Sequence, residues 1–326
     1  MRLFTRRPNE TGSRVRLFFA SDIHGSDRCW KKFLAAGEVH QCEILVMGGD
    51  ITAKAIVPVL RNGSGYNIRV GGRTEHLSTE AERQRFEQAL RDQGFYTIIL
   101  DADEEIDEER QGLLYEQLAR ETLSRWLEMA ERRIAGSGKR LLLLPGNDDI
   151  RGIDSLIGET DWLLNPEGQV VELSAEHELI ATGVANPTPW NTPREVPEEE
   201  LTSLLEQMVK GVRDVSRLVL IAHVPPHDTV IDQAPKLVRK DGELAIDRRG
   251  GQAVMVSVGS VAVRKFIEKH QPLIALHGHI HESRGIIRIG RTTCVNPGSE
   301  YPSGDVSGVI VELRSERISQ CQLITA

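Results

Sequence analysis

Three histidines at alternate positions follow a short apolar run near the C-terminal end of the sequence. The run is Pro272-Leu273-Ile274-Ala275-Leu276, and the histidines are His277, His279 and His281. An apolar run of this length is typical of a buried strand. Neutral imidazole is the commonest protein ligand for metal ions, whereas a core would have to satisfy both nitrogens of every ring. Taken alone, the segment fits a metal site at a strand end and a histidine-rich polar loop about equally well.

Four further apolar runs of strand length end in residues that can bind a metal ion. They end near Ser21, Gly48, Pro145 and Ala222, and the motifs that follow are Asp22-Ile23-His24, Gly49-Asp50, Gly146-Asn147-Asp148 and His223. Each motif alone is more often a polar turn or a hydrogen-bonded core histidine. The first two runs flank a segment with near-helical spacing, which predicts parallel strands joined by a right-handed crossover. Because functional loops lie at the carboxyl ends of such strands, the five motifs together predict a metal site at a sheet edge.

Length and charge limit the kind of protein. A chain of 326 residues can bury a sizeable core. The formal net charge of -8 argues against non-specific nucleic-acid binding but leaves a small anionic substrate open. The four cysteines form no C-x-x-C pair, and the first residues contain no long apolar region. We therefore expect neither a zinc ribbon nor a membrane span or signal peptide, and a cytoplasmic location.

Two segments separate these motifs from one another. Residues 51–139 form a long interruption, which we predict to be a hairpin around Gly71-Gly72 and a charged helix over 80–93, followed by a long helix over about 104–134. Residues 228–251 are polar and without a clear period, which predicts a mobile loop.

The five motifs in this order resemble those of the calcineurin-like metallophosphoesterase superfamily. The resemblance spans the sequence from about Val15 to the C-terminus. It implies an α/β fold, a sandwich of two mixed β-sheets flanked by helices, and a catalytic domain over residues 14–326. The interruption then becomes a largely helical insertion at about 51–139.

The resemblance also implies a dinuclear metal site. Carried over position by position, Asp22, His24 and His281 would bind one ion, Asn147, His223 and His279 the other, and Asp50 both. His277 has no ligand role in the family pattern and is expected to be structural. Carboxylate, imidazole and amide ligands suit divalent Mn, Fe, Co, Ni or Zn.

The implied activity is hydrolysis of a phosphodiester or phosphomonoester by a metal-bridging hydroxide. The residues expected to serve catalysis are Asp50, Asn147, Asp148 and His223. The expected substrate is a small phosphate ester, with nucleotide-like compounds included, and the sequence carries no signal for the oligomeric state. The alternative is a non-catalytic metal-binding scaffold or interaction protein with the same fold. Loss of ligands would favour the scaffold, whereas all seven ligand positions are filled.

Three features go beyond the shared motifs. Many family members carry histidine directly after the asparagine as an acid for the leaving group, whereas this chain has Asp148, which nearby cations should keep ionised. The N–H groups at Gly259-Ser260 would either face an anion or belong to an ordinary helix cap. The insertion leaves after Asp50 and returns before Asn147, so we expect it to help select the substrate.

Overall fold

The computed structural model describes residues 14–101, 104, 106–240 and 243–326. The helices of these residues are α1 (Asp27–Val39), α2 (Glu80–Asp92), α3 (Glu108–Ile134), α4 (Glu198–Val209) and α5 (Val261–His270). The strands of these residues are β1 (Arg14–Ala20), β2 (Ile44–Met47), β3 (Ala55–Asn62), β4 (Gly65–Val70), β5 (Arg73–Leu77), β6 (Phe95–Leu100), β7 (Arg140–Leu143), β8 (Leu163–Leu164), β9 (Val170–Glu172), β10 (Glu178–Thr182), β11 (Val219–Ala222), β12 (Gln233–Pro235), β13 (Leu237–Lys240), β14 (Glu243–Ile246), β15 (Arg248–Arg249), β16 (Gln252–Ala253), β17 (Met255–Ser257), β18 (Ile274–Leu276), β19 (Gly285–Ile289), β20 (Thr292–Asn296), β21 (Ser307–Arg314) and β22 (Arg317–Thr325). None of the helices in the described ranges is long and apolar enough to cross a membrane.

Two six-stranded sheets form the centre of the fold. The first has the order β22-β21-β1-β2-β7-β8, and the second has the order β19-β20-β18-β11-β10-β9. In each sheet the central strands run parallel, and antiparallel strands complete it at one or both ends. The predicted pair of mixed sheets is therefore confirmed.

The sheets pack against each other, and helices cover their outer faces. Leu17 and Val46 of the first sheet share one buried cluster with Ile221 and Leu276 of the second. The alternate residues of the first sheet pack on α1 and α3, and those of the second pack on α4 and α5. Because side chains alternate across a strand, a continuously apolar strand packs against the other sheet with one face and against the helices with its other face.

The structure divides the predicted insertion into two parts. Residues 55–100 form a four-stranded sheet of order β5-β4-β3-β6 with α2 packed on it, so this part contains more strand than the sequence indicated. The sequence prediction missed β3 because Pro58 argues against a strand interior. Pro58 is tolerated because the pairing of β3 with β4 begins only at Val59. We call residues 55–100 the lobe.

The long helix belongs to the main body rather than to the lobe. Trp126 of α3 is buried, and its ring stacks on Trp30 of α1 with centroids 5.1 Å apart. The two indoles are also tied by hydrogen bonds, because Trp30 Nε1 donates to the Trp126 carbonyl and Trp126 Nε1 donates to Asp27. The helix α3 is thus the crossover that covers the first sheet between β2 and β7.

The segment over 228–251, expected to be a mobile loop, contains regular structure. It forms much of a ladder of short antiparallel pairs, β12 with β17, β13 with β14 and β15 with β16. Both faces of β13 and β14 are at least partly exposed, so no apolar alternation marks them in the sequence. We call residues 233–257 the hairpin arm.

Candidate metal centre

Short loops at the carboxyl ends of β1, β2, β7, β11 and β18 carry the predicted ligands. The first two loops are joined, since the Asp22 N–H donates to the Gly49 carbonyl at 2.9 Å and the His24 N–H to the Asp50 carbonyl at 3.0 Å. Asp22, His24 and Asp50 have positive φ angles of 59°, 39° and 52°. Left-handed backbone is unfavourable for such residues and persists only where the surroundings hold it. The loops therefore keep an unfavourable backbone conformation that fixes the arrangement of their side chains.

Two motif glycines allow the loops to approach each other. A Cβ atom on Gly278 would overlap the side chains of Ser21 and Asp22, and one on Gly146 would overlap the Asp50 carboxylate. The glycines thus create space for the carboxylates at the point where the two sheets meet.

Asp22, His24 and His281 form the first group of ligand atoms. His24 Nε2 lies 3.1 Å from His281 Nε2, which lies 3.4 Å from Asp22 Oδ1. All three ligand atoms lie within 4.8 Å of one another. One ion could contact all three, as the resemblance implied.

Asp50, His223 and His279 form the second group, also within 4.8 Å. His279 Nδ1 lies 2.7 Å from Asn147 Oδ1, which adds the amide oxygen to this group. The two oxygens of Asp50 face different groups, because Oδ1 lies 3.3 Å from His223 Nε2 and Oδ2 lies 3.7 Å from His24 Nε2. A carboxylate in this position can be shared by two ions.

The buried charges of the cluster are poorly balanced by protein groups alone. Burial lowers the pKa of His223, but the Asp50 and Asp22 carboxylates outweigh burial and raise that pKa to about 10. Burial and the charge of His223 lower the pKa of His279 to about 4. The carboxylates therefore demand positive charge that only one of these two imidazoles supplies. Perturbation of this kind is common at functional sites.

The donor set fits divalent metal ions. His223 Nδ1 lies 2.9 Å from the Gly48 carbonyl and donates to it, so in the neutral ring that a metal ion would bind, Nε2 carries the lone pair and faces the cluster. That buried Nε2 has no hydrogen-bond partner. Buried polar atoms normally have one, and a bound cation would satisfy this nitrogen. Carboxylate, imidazole and amide donors without thiolate suit hard or borderline divalent ions.

No family model matches this chain. The uncharacterized protein MJ1162 of Methanocaldococcus jannaschii is 34% identical over 160 residues, which span 48% of this chain and 63% of that protein.

Solved structures cover nearly all of the chain. One crystal structure is 17% identical, covers 96% of this chain and 99% of its own, and has a TM-score of 0.55. TT1561 of Thermus thermophilus is 12% identical over 96% of this chain and 99% of its own, with a TM-score of 0.48. A dimetal phosphatase from Danio rerio is 10% identical over 95% of this chain and 98% of its own, with a TM-score of 0.42. At these identities the likeness concerns the fold.

The two mixed sheets, the helical layers and the positions of the five motif loops are those that the resemblance implied. This chain has an α/β fold, a sandwich of two mixed β-sheets flanked by helices. In that fold the candidate metal centre occupies the sheet edge at which the motifs were expected.

Asp148 lies at the rim of the candidate metal centre. Its side chain is 25% exposed, and its Oδ2 lies 4.0 Å from His24 Nδ1 and 3.5 Å from Lys54 Nζ. Burial and the Asp50 carboxylate raise the pKa of Asp148 to about 6, against the opposing effect of Lys54. Lys54 thus lowers the pKa of Asp148 as expected of a cation, but less than burial and Asp50 raise it, and the carboxyl is still mostly ionised at neutral pH.

His277 lies outside both groups of ligand atoms. It is buried, and its Nδ1 lies 2.8 Å from the Ala222 carbonyl. Burial lowers the pKa of His277 to about 4, so the ring is neutral. This contact joins β18 to the end of β11, which agrees with the structural role expected for it.

Sequence reasoning missed two side chains that hold the ligands. The buried Asp149 carboxylate accepts hydrogen bonds from Gly146 N–H and Ile51 N–H, at 2.7 and 3.0 Å, and so joins the loops after β7 and β2. Thr192 Oγ1 accepts from Asn147 Nδ2 at 2.9 Å, which turns Asn147 Oδ1 toward the cluster. No local signal marked either residue.

The helix N-terminus at Gly259-Ser260 has protein partners. The Gly259 N–H donates to Asp232, and the Ser260 N–H donates to the Pro225 carbonyl. Ser260 Oγ accepts from the Val263 N–H at 3.2 Å. The N–H groups considered for an anion therefore already have protein acceptors, and the ordinary helix cap is the correct interpretation.

Proposed function

We propose that the protein is a phosphoesterase that uses two divalent metal ions and hydrolyses a small phosphate ester. The observation that carries the proposal is the Asp50 carboxylate, whose two oxygens each face one group of ligand atoms. A scaffold that only preserved the fold would have no need for six further ligand side chains around a shared carboxylate.

Each ion would have four ligands, and the two sets would share Asp50. Asp22, His24, His281 and Asp50 would hold one, and Asp50, Asn147, His223 and His279 would hold the other. Two ions held there would supply Lewis acidity, by polarising water and the phosphate oxygens for an in-line displacement. Their charge would also allow an anionic substrate to approach a cluster of buried carboxylates.

The surrounding side chains fix this arrangement. The Gly48 carbonyl orients the His223 ring, and Thr192 orients the Asn147 amide. The Tyr301 ring packs 4.8 Å from the His24 ring and covers it from solvent. Fixed ligands of this kind reduce the reorganisation that the reaction requires.

Two neighbouring elements are proposed to select among phosphodiesters, phosphomonoesters and nucleotide-like substrates. The lobe begins directly after the Asp50 loop, and its Gly94 packs against the His24 carbonyl and Tyr301. The hairpin arm follows the His223 loop. The free cysteines Cys29, Cys42, Cys294 and Cys321 support a reducing cytoplasm as the proposed location.

A metal-by-substrate screen tests this proposal. The full chain, stripped with a chelator, would be reloaded with Mn, Fe, Co, Ni, Zn or Mg and assayed on 4-nitrophenyl phosphate and bis(4-nitrophenyl) phosphate. His279→Gln should lose bound metal and turnover. His270→Gln is the matched control, because His270 contacts Glu206 outside the centre. No turnover with any metal, or equal behaviour of the two variants, would contradict the proposal.

A further inference from the structure

Lys54 and Asp148 form an ion pair at the solvent side of the metal centre. Lys54 Nζ lies 3.5 Å from Asp148 Oδ2, and the two side chains are 47% and 25% exposed. Asp148 in turn forms a compact group with His24 and Asp50, whose ligand atoms lie within 4.8 Å of the Asp148 carboxylate. The Lys54 ammonium group therefore contacts Asp148, and Asp148 in turn lies close to the Asp50 carboxylate that the two ligand groups share.

The position of Lys54 in the chain fixes it at this rim. It follows the Asp50 loop by four residues and directly precedes β3, which begins at Ala55. The loop between is anchored, since Thr52 bonds to Asp149 and the Ala53 N–H donates to Tyr96 Oη at 3.2 Å. This anchored backbone places the Lys54 side chain beside Asp148.

The charge of Lys54 is maintained by its neighbours. Burial lowers the pKa of Lys54, but Asp148 and Asp50 outweigh burial and raise it. A group that stays cationic beside a phosphate site can stabilise negative charge that develops during reaction.

An in-line displacement gives the two sides of the centre different tasks. Water attacks phosphorus from the side of the ligand groups, one P–O bond forms, and the bond to the departing oxygen breaks on the opposite side. The departing oxygen keeps the electron pair of that bond and takes up a proton from water. The products are one phosphate species and one alcohol. The ligand groups are buried and Lys54 and Asp148 are partly exposed, so an ester bound at the ligand groups with its departing oxygen toward solvent would present that oxygen to this ion pair.

We propose that the Lys54 ammonium contacts the departing oxygen of the ester and that Asp148 positions the ammonium. This inference rests on the proposed phosphoesterase function. Lys54 is then a catalytic residue, and Asp148 is a positioning residue that acts through it. The contact matters most when the departing oxygen is strongly basic, because more negative charge then develops on it.

The experiment compares two esters that differ in the basicity of the departing oxygen. Phenyl phosphate and 4-nitrophenyl phosphate would be assayed with the metal-loaded full chain. Lys54→Met should lower kcat/KM for the phenyl ester by about 10²–10³-fold, the usual effect of removing one oxyanion donor. The loss for the nitrophenyl ester should stay below about tenfold, because nitrophenolate needs little stabilisation. Lys54→Arg, which keeps the charge, should restore most of the phenyl activity.

Three further measurements separate this role from a structural one. Lys269→Met is the matched control, because Lys269 pairs with Glu206 at an exposed site, and this variant should leave the activity on both esters unchanged. Bound metal and Tm of Lys54→Met should match the wild-type values. Asp148→Asn should add less than about threefold to the loss in the Lys54→Met background, because residues that act as a unit are not additive.

The possible outcomes lead to different conclusions. A wild-type protein that is inactive on both esters and on bis(4-nitrophenyl) phosphate would overturn the proposed function and this inference together. The role of Lys54 alone would be overturned if the wild type is active but Lys54→Met loses activity on both esters to the same extent, or loses its bound metal. Additive losses in the double variant would overturn the positioning role of Asp148.

Discussion

Replacing Asp149 by alanine tests how the loops of the metal centre are held. The carboxylate accepts hydrogen bonds from the N–H groups of Ile51, Thr52 and Gly146 and from Thr52 Oγ1, between 2.7 and 3.0 Å. A buried donor left without a partner costs about 1–3 kcal/mol, so four donors would cost about 4–12 kcal/mol. The loss should lie at the lower end of this range, because removing the carboxylate also removes the free-energy cost of burying it. Burial and the neighbouring Asp50 accordingly raise the pKa of Asp149.

We therefore expect Asp149→Ala to lower the free energy of unfolding by about 4 kcal/mol. An unfolding entropy of about 2.1 cal/mol/K per residue gives about 0.7 kcal/mol/K for 326 residues, so Tm should fall by about 6 °C. Calorimetry and urea unfolding of the metal-free protein measure both quantities. Asp101→Ala is the control, since this 63% exposed carboxylate pairs with Arg61, which is 56% exposed, and should cost less than about 1 kcal/mol. Equal losses in the two variants would refute the anchoring role.

Three other predictions follow from the packing. Trp126→Ala should lower the free energy of unfolding by about 3–5 kcal/mol in urea titrations, whereas Trp190→Ala, at a ring that is 66% exposed, should change it little; similar values would be inconsistent with α3 as a core helix. Replacing residues 62–136 by a Gly/Ser linker should unfold the protein, as measured by circular dichroism. Replacing only the lobe, 55–100, should keep the fold and the bound metal but alter the preference between diester and monoester substrates. An unchanged preference would contradict the role of the lobe in substrate selection. Burial raises the pKa of Cys294 from 9.0 to about 12, so the thiolate fraction of Cys294 at pH 8 should be about a thousandfold below that of a free thiol. Mass spectrometry should find Cys294 unmodified by iodoacetamide until the protein unfolds. Rapid labelling of the native protein would contradict the burial of Cys294.

Those parts of the fold that depend on continuous apolar runs could be predicted from the sequence. The strands β2, β11 and β18 are buried along their whole length, so no polar residue interrupts them. Because such strands run parallel in one sheet, the residues after them meet at one edge. That single rule places Asp50, His223 and His279 together without any knowledge of their contacts.

Other parts depend on contacts that the sequence does not record. Asp148 and Asp149 are adjacent and chemically identical, yet Asp148 lies at the rim and Asp149 is fully buried. Which carboxylate turns inward depends on Ile51, 98 positions away. The partner of Asn147 is likewise 45 positions away, at Thr192. The role of α3 was missed for the same reason, since its amphipathic pattern predicts a helix but not the layer it covers.

The shared role of Asp50 is tested most directly by the metal content of Asp50→Asn. An amide oxygen can still accept the Asp148 N–H bond, which measures 3.0 Å to Asp50 Oδ1, so the loop should keep its shape. A neutral amide cannot neutralise two cations, and both sites should weaken. Plasma mass spectrometry should find about two metal ions per chain in the wild type and in the control Asp101→Asn, and less than about one in Asp50→Asn, with an unchanged Tm of the metal-free protein. Two ions per chain and normal turnover in Asp50→Asn would contradict the account.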